Sequence, residues 1–237
     1  MKIKATDIIH PSWDLPLDLI KEIKTKINTP FNPELRNLFR VFSLDVMSTK
    51  CIIIGLSPYQ TKDNIQSNGL AFGSNSDTPS LQIIRQAMWR SYHELAIEEY
   101  FDNSMEHWHN QGVLMLNASL TVPKFRNLGN PLTHLSLWRE FISKALKYAL
   151  TVNPTPVWFV GQKSKTFKKF CTASPLLLES CHPRTTYNQL IKYRYNEDKI
   201  PVNSNFTISP NFIILDTYFK YLNGESIKWI NYENSNN

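Results

Sequence analysis

The sequence predicts an α/β fold, a single domain with a central, mostly parallel, four-stranded sheet flanked by helices. Three observations predict it. Four short apolar runs, near 51–54, 111–117, 154–160 and 176–180, each stop at a glycine or a polar residue. Stretches with helical spacing of apolar residues separate the runs. Finally, 237 residues that are 42% apolar, with no charge-rich tract, suffice for one sizeable core and are short for two. The domain is expected over 1–230, followed by a polar tail at 231–237 that should fray.

Taken in order, Ser12-Trp13-Asp14 leads to a helix over 17–26, with apolar positions 17, 19, 20 and 23 on one side, broken by Pro30 and Pro33. An apolar cluster, Leu35, Leu38, Phe39, Val41 and Phe42, precedes the first strand, Cys51 to Ile54, which ends at Gly55 and Pro58. A polar loop then runs to Gly69-Leu70-Ala71-Phe72. Leu81, Ile84, Met88, Tyr92 and Leu95 predict a helix packed on the sheet. The second strand starts at Gly112 and ends at Asn117, a helix follows over 138–150, and the third strand ends at Gly161. The fourth delivers His182 at its terminus, fixed by Pro183. Ligands of open α/β folds bind beyond the carboxyl ends of the strands, so the 55–72 loop, Asn117 and His182 are expected to share one crevice.

Composition narrows the function classes. No apolar stretch approaches the ~20 residues that span a bilayer, and the N-terminus lacks a signal-peptide pattern. Three cysteines without metal-ligand spacing suit a reducing, intracellular compartment. The His107-x-His109 pair has no carboxylate or cysteine spaced to complete a metal site, so neither metal nor cofactor is expected. The net charge of +6 permits an acidic partner such as nucleic acid. Its distribution says more: Lys163, Lys165, Lys168 and Lys169 cluster, and Arg184, Lys192 and Arg194 follow His182. Such clusters are either a solvated face or a set of phosphate contacts. Abundant Asn, Ile and Lys fit an AT-rich genome, as in a phage or virus.

Single residues leave alternatives open. Taken alone, Phe72 reads more readily as core, Tyr59 as a turn-side aromatic, Asn117 as a capping residue and His182 as a structural histidine. The ordered set is more specific: Gly55-Leu56-Ser57-Pro58-Tyr59-Gln60, then Gly69-Leu70-Ala71-Phe72, then Gln111 to Asn117 running into Ala118-Ser119-Leu120-Thr121-Val122, then His182-Pro183. This set resembles the uracil-DNA glycosylases, most of all their family-1 branch. That branch reads Gly-Gln-Asp-Pro-Tyr-His, Gly-Leu-Ala-Phe-Ser, Gly-Val-Leu-Leu-Leu-Asn-x-x-Leu-Thr-Val and His-Pro-Ser. Weaker similarity runs through Ser12-Trp13, Thr78-Pro79-Ser80-Leu81, His134 with Trp138, Gly161 and Ile227-Lys228-Trp229, covering nearly the whole chain.

The resemblance implies a monomer that flips uracil out of single- or double-stranded DNA and cleaves its bond to deoxyribose, as in base excision repair. Phe72 would stack on the base, Asn117 would read its edge and oppose cytosine, and Tyr59 would exclude thymine at C5. His182 would donate to the uracil O2, Leu56 would line the pocket at the glutamine position, and Ser80 would contact phosphate. Lys163, Lys165, Arg184 and Tyr187 are the further candidates for DNA contact.

Departures fall on the chemistry. Ser57 stands at the position of the family's catalytic aspartate, and Gln60 at that of its histidine. Arg184-Thr185-Thr186-Tyr187 replaces the Ser-Pro-Leu-Ser segment that carries the wedge leucine, leaving Tyr187 or Leu190 as stand-ins. In some viral relatives that depart there, the fold serves as a replication accessory. The sequence therefore implies either a weak or altered glycosylase, with Ser57 and His182 as its catalytic pair, or an inactive uracil- or DNA-binding protein with a replication partner. The iron–sulfur cluster of other branches needs four cysteines, and three exist.

Overall fold

The computed structural model describes residues 4–60, 66–93, 97–124, 133–223 and 226–231. The elements run β1 (Phe31–Asn32), β2 (Cys51–Gly55), β3 (Val113–Asn117), β4 (Val122–Pro123), β5 (Val157–Val160) and β6 (Leu177–Ser180) among the strands. The helices are α1 (Asp18–Lys26), α2 (Pro79–Tyr92), α3 (Ile97–Tyr100), α4 (Glu106–Asn110), α5 (Leu135–Val152), α6 (Gln162–Lys165), α7 (Pro183–Lys192) and α8 (Asn211–Asn223).

Four strands form the central sheet in the order β3-β2-β5-β6, all parallel. Every residue of β2, β3 and β5 is buried, as strands covered on both faces must be. The register sets Gly55 beside Asn117 and Val160 beside Ser180, so the carboxyl ends of all four strands form one rim. A small antiparallel pair, β1 with β4, was not legible in the sequence because each strand is two residues long.

Helix boundaries follow capping chemistry. Helix α2 starts at Pro79 with the Thr78 hydroxyl accepting from the Leu81 N–H at 3.4 Å, and it stops at His93, whose φ of +53° is left-handed. The predicted continuation to Leu95 lies outside the described residues, as does the tail beyond Asn231. Helix α5 is longer than its apolar spacing suggested. Its first turn is tied back where the Thr121 hydroxyl accepts from the Trp138 indole at 2.7 Å and shares a hydrogen bond with His134 Nδ1 at 2.8 Å. Pro154 and Pro156 delay β5 until Val157, although the Pro156 carbonyl still accepts from Ile52 at 2.9 Å.

Aromatic side chains dominate the core. Phe39, Phe42, Trp138 and Phe141 form one cluster with edge-on and tilted contacts. Trp158, Phe206, Phe212, Trp108 and Trp229 form another. The two histidines of the His-x-His pair serve packing and part company: His107 Nε2 meets the Lys228 carbonyl, and buried His109 meets Ser43. No group of three or more His, Cys, Asp or Glu side chains among the described residues is placed to hold a metal.

Candidate functional site

The site is built on the rim of the sheet. At its centre Gly55 makes room: a Cβ there would lie 3.1 Å from Asn117 Oδ1, 3.3 Å from Ala71 Cβ and 3.4 Å from the Phe72 ring. Backbone bonds then fold the loops inward. Ala118 donates to the Gly55 carbonyl at 3.0 Å, Ser119 to Leu56 at 2.9 Å, and Ala71 to Met115 at 2.8 Å. Gly69, with φ of +92°, passes so close to the Asn37 carbonyl that no side chain fits.

Phe72 itself adopts a left-handed φ of +63°, a conformation costing about 1–2 kcal/mol for a residue with a Cβ. Its carbonyl is held by the Tyr59 hydroxyl, which donates at 3.2 Å and accepts from the Thr78 hydroxyl at 2.9 Å. Burial pushes the Tyr59 phenol up to about 12, so it stays a neutral donor. Ser80 also reaches that hydroxyl and is only 3% exposed. The structure thus seats Ser80, like Thr78, against the Tyr59 hydroxyl.

Asn117 closes β3 and is 1% exposed. Its Nδ2 is buried and has no hydrogen-bond partner among the described residues. A buried donor left unpaired costs about 1–3 kcal/mol, a cost a ligand acceptor would remove.

His182 is the N-cap of α7. Its Nδ1 accepts from the Arg184 N–H at 3.1 Å. Burial, with the Arg184 charge adding to it, lowers its pKa to about 4. The ring is therefore neutral at pH 7, and its single proton must sit on Nε2. Gly161, at φ of +93°, lets the ring pack: a Cβ there would lie 3.1 Å from His182 Cβ. The imidazole and the Phe72 ring stand 5.6 Å apart, centroid to centroid. Beside them opens a cavity of about 330 Å³ lined by Leu56, Gly161, Lys163, His182, Thr185 and Ser204.

Four predicted residues, Tyr59, Phe72, Asn117 and His182, are thus brought together, with Leu56 at the edge. Ser57 is half-buried at the exit of β2 and makes no side-chain hydrogen bond among the described residues. The carboxylate of Asp77 is turned to Arg85 at 2.9 Å. Asp63 lies outside the described residues.

Other candidates separate. Lys163 is exposed beside the cavity, whereas Lys165 pairs with Glu179 at 3.1 Å and shares that carboxylate with Lys168 at 2.9 Å. The segment 184–187, where the sequence departs from the family's last motif, is the first turn of α7. Pro183 occupies N1, where its fixed φ favours a helix, and His182 caps it. Leu190 is 7% exposed and faces the core, so it cannot act as a wedge. Exposed Arg184 lies over the Tyr187 ring at 5.1 Å. Sequence reasoning missed Thr78 as the partner of Tyr59, although its place before a proline at a helix start was a capping signal. Nothing in the sequence marked Thr185 or Ser204.

The Uracil DNA glycosylase superfamily model matches residues 43–202. The uracil-DNA glycosylase of Borrelia turicatae is 33% identical over 201 residues, covering 77% of this chain and 85% of the relative. That of Borrelia duttonii is 35% identical over 170 residues, covering 68% and 71%. Among solved structures, the mimivirus uracil-DNA glycosylase superposes with a TM-score of 0.66 at 18% identity, over 96% of this chain and 90% of that one. The Nitratifractor salsuginis UNG superposes with a TM-score of 0.53 at 17% identity, over 78% and 88%. With the motifs in register and the pocket assembled on the sheet rim, the chain belongs to the uracil-DNA glycosylase superfamily.

Proposed function

We propose that this protein binds DNA containing uracil, draws the base into the site formed by Phe72, Asn117 and His182, and hydrolyses its N-glycosidic bond slowly. One observation carries the reading: the buried, unpartnered Asn117 Nδ2 and the neutral His182 flank the same aromatic wall. Asn117 offers a donor and an acceptor to the uracil edge, a pattern that cytosine does not match. Phe72 supplies the stacking face, and Tyr59, fixed by Thr78, forms the rigid wall at C5. As the bond to deoxyribose lengthens, electrons move onto the base, and the Nε2–H of His182 is the donor for the growing charge. One preorganised donor of this kind is worth about 3 kcal/mol.

The sugar side is served less well. Ser57 orders a water but brings no negative charge to the cationic sugar. The lost term is on the order of 3–5 kcal/mol, or roughly a hundred- to several-thousand-fold in rate. The same substitution favours the second reading, a catalytically inactive uracil- or DNA-binding protein that accompanies replication proteins. Incubation with uracil-containing single- and double-stranded oligonucleotides, protein in excess, separates the two. Abasic sites that disappear in His182→Ala support the glycosylase. Tight binding without cleavage over many hours would sink it and leave the binding protein.

A further inference from the structure

A second basic feature lies outside the pocket, between α5 and the turn at Lys168–Phe170. It is a groove of about 420 Å³, and the side chains that give it character are Arg139, Glu140, Lys144, Lys147 and Phe170. Glu140 is neutralised by Lys144 at 2.8 Å. Two lining cations, Arg139 and Lys147, remain without a carboxylate among the described residues, and Lys169 beside Phe170 is a third at its edge. Lys147 and Lys169 both lie over the Phe170 ring, at 5.5 and 5.1 Å. Arg139 stacks on Phe167 at 5.3 Å and donates to the Thr166 hydroxyl at 3.2 Å. Holding two ammonium groups against one ring concentrates positive charge that the fold itself does not neutralise.

The groove is linked to the site through one short stretch of chain. Thr166, which holds Arg139, directly follows α6, and α6 contributes Gln162 and Lys163 to the cavity beside His182. Lys163 at the cavity, and Arg139, Lys147 and Lys169 at the groove, are the cations that a strand running from one to the other would meet. Arg139 and Lys147 are two steps of four residues apart on that helix, about 12 Å. That distance matches three or four phosphates at ~3.4 Å per nucleotide of one strand. Aromatic rings among unpaired cations are also the makeup of a single-strand track.

We infer that this groove carries the phosphate backbone of the DNA strand that runs on from the nucleotide in the pocket. The inference rests on the DNA-binding reading above and does not require cleavage. Lys147 and Lys169 are both exposed, so K147Q/K169Q should fold as the parent does.

The test measures binding of fluorescein-labelled single strands against salt, using one of roughly 30 nucleotides and one of about 4, which fills only the pocket. Loss of two phosphate contacts should flatten the slope of log affinity against log salt by about 1.4 on the long strand, with no change on the short one. An unchanged slope on the long strand overturns the groove, and so does an equal loss on both lengths. Poly-glutamate binding that the variant loses, with long-strand binding intact, would make it a docking site for an acidic protein instead. Failure of the parent chain to bind DNA of either length ends the DNA-binding reading itself.

Discussion

The Tyr59 hydroxyl donates to the carbonyl oxygen of Phe72 at 3.2 Å, and this bond joins the two aromatic walls of the site into one unit. It stabilises a left-handed Phe72 and is itself fixed from behind by Thr78 at 2.9 Å. Thr78→Val removes both the α2 cap and the donor to Tyr59. Denaturant unfolding should show a loss of about 1–3 kcal/mol. A larger selectivity effect is expected from Tyr59→Ala, which opens the C5 wall. Thymine-containing DNA should then compete for binding, and should not do so with the parent chain.

The Asn117 Nδ2 is buried without a partner among the described residues, a cost to the folded chain that an acceptor on a bound base would remove under the proposed function. Asn117→Ala should therefore abolish the preference for uracil over cytosine, while the urea midpoint falls little or rises. A large loss of stability together with intact base preference would mean that the amide serves packing.

Under the proposed function, Ser57→Asp would place a carboxylate where positive charge develops on the sugar. Single-turnover cleavage of uracil DNA should rise roughly a hundredfold to several thousandfold. If the variant binds uracil DNA and stays inert, the site differs from an active one by more than this residue.

Burial holds His109 near 4, and burial with the Arg184 charge does the same for His182. The unfolded chain takes up protons at these rings below about 6.5, and the folded chain does so only near 4. Their contribution to stability is therefore complete above pH 6.5 and is lost as pH falls toward 4. Urea midpoints measured from pH 7 to 4.5 should decline, and less steeply in the double variant His109→Gln/His182→Gln. Any cleavage that depends on neutral His182 should keep its acid limb near pH 4, not near 6.5.

Much of the fold was written in local sequence. The strands ending at Gly55, Asn117 and Gly161, and the helices near 17–26, 81–95 and 138–150, were legible from apolar runs and the residues that stop them. Capping moved their ends, as at Thr78 before α2 and in the turn that begins α5. The two-residue strands β1 and β4 carried too little pattern to see. Helix α7 was missed because His182-Pro183 was read as the close of a strand, although proline at N1 opens a helix equally well.

The sequence by itself determined the α/β class and the order of the motifs, and it singled out Tyr59, Phe72, Asn117 and His182 as candidate site residues. These depend on short-range patterns: a run of apolar residues, a turn former, a proline after a histidine. Only the tertiary structure decided that Thr78 braces Tyr59, that Gly161 makes room for His182, and that Ser80 and Leu190 turn inward while Lys163 stays at the cavity. It also decided which lysines are neutralised, since Glu179 claims Lys165 and Lys168 and leaves Lys147 and Lys169 over Phe170. Such pairings join residues that lie apart in the chain, and their geometry is set when the strands come into register and the helices pack against them.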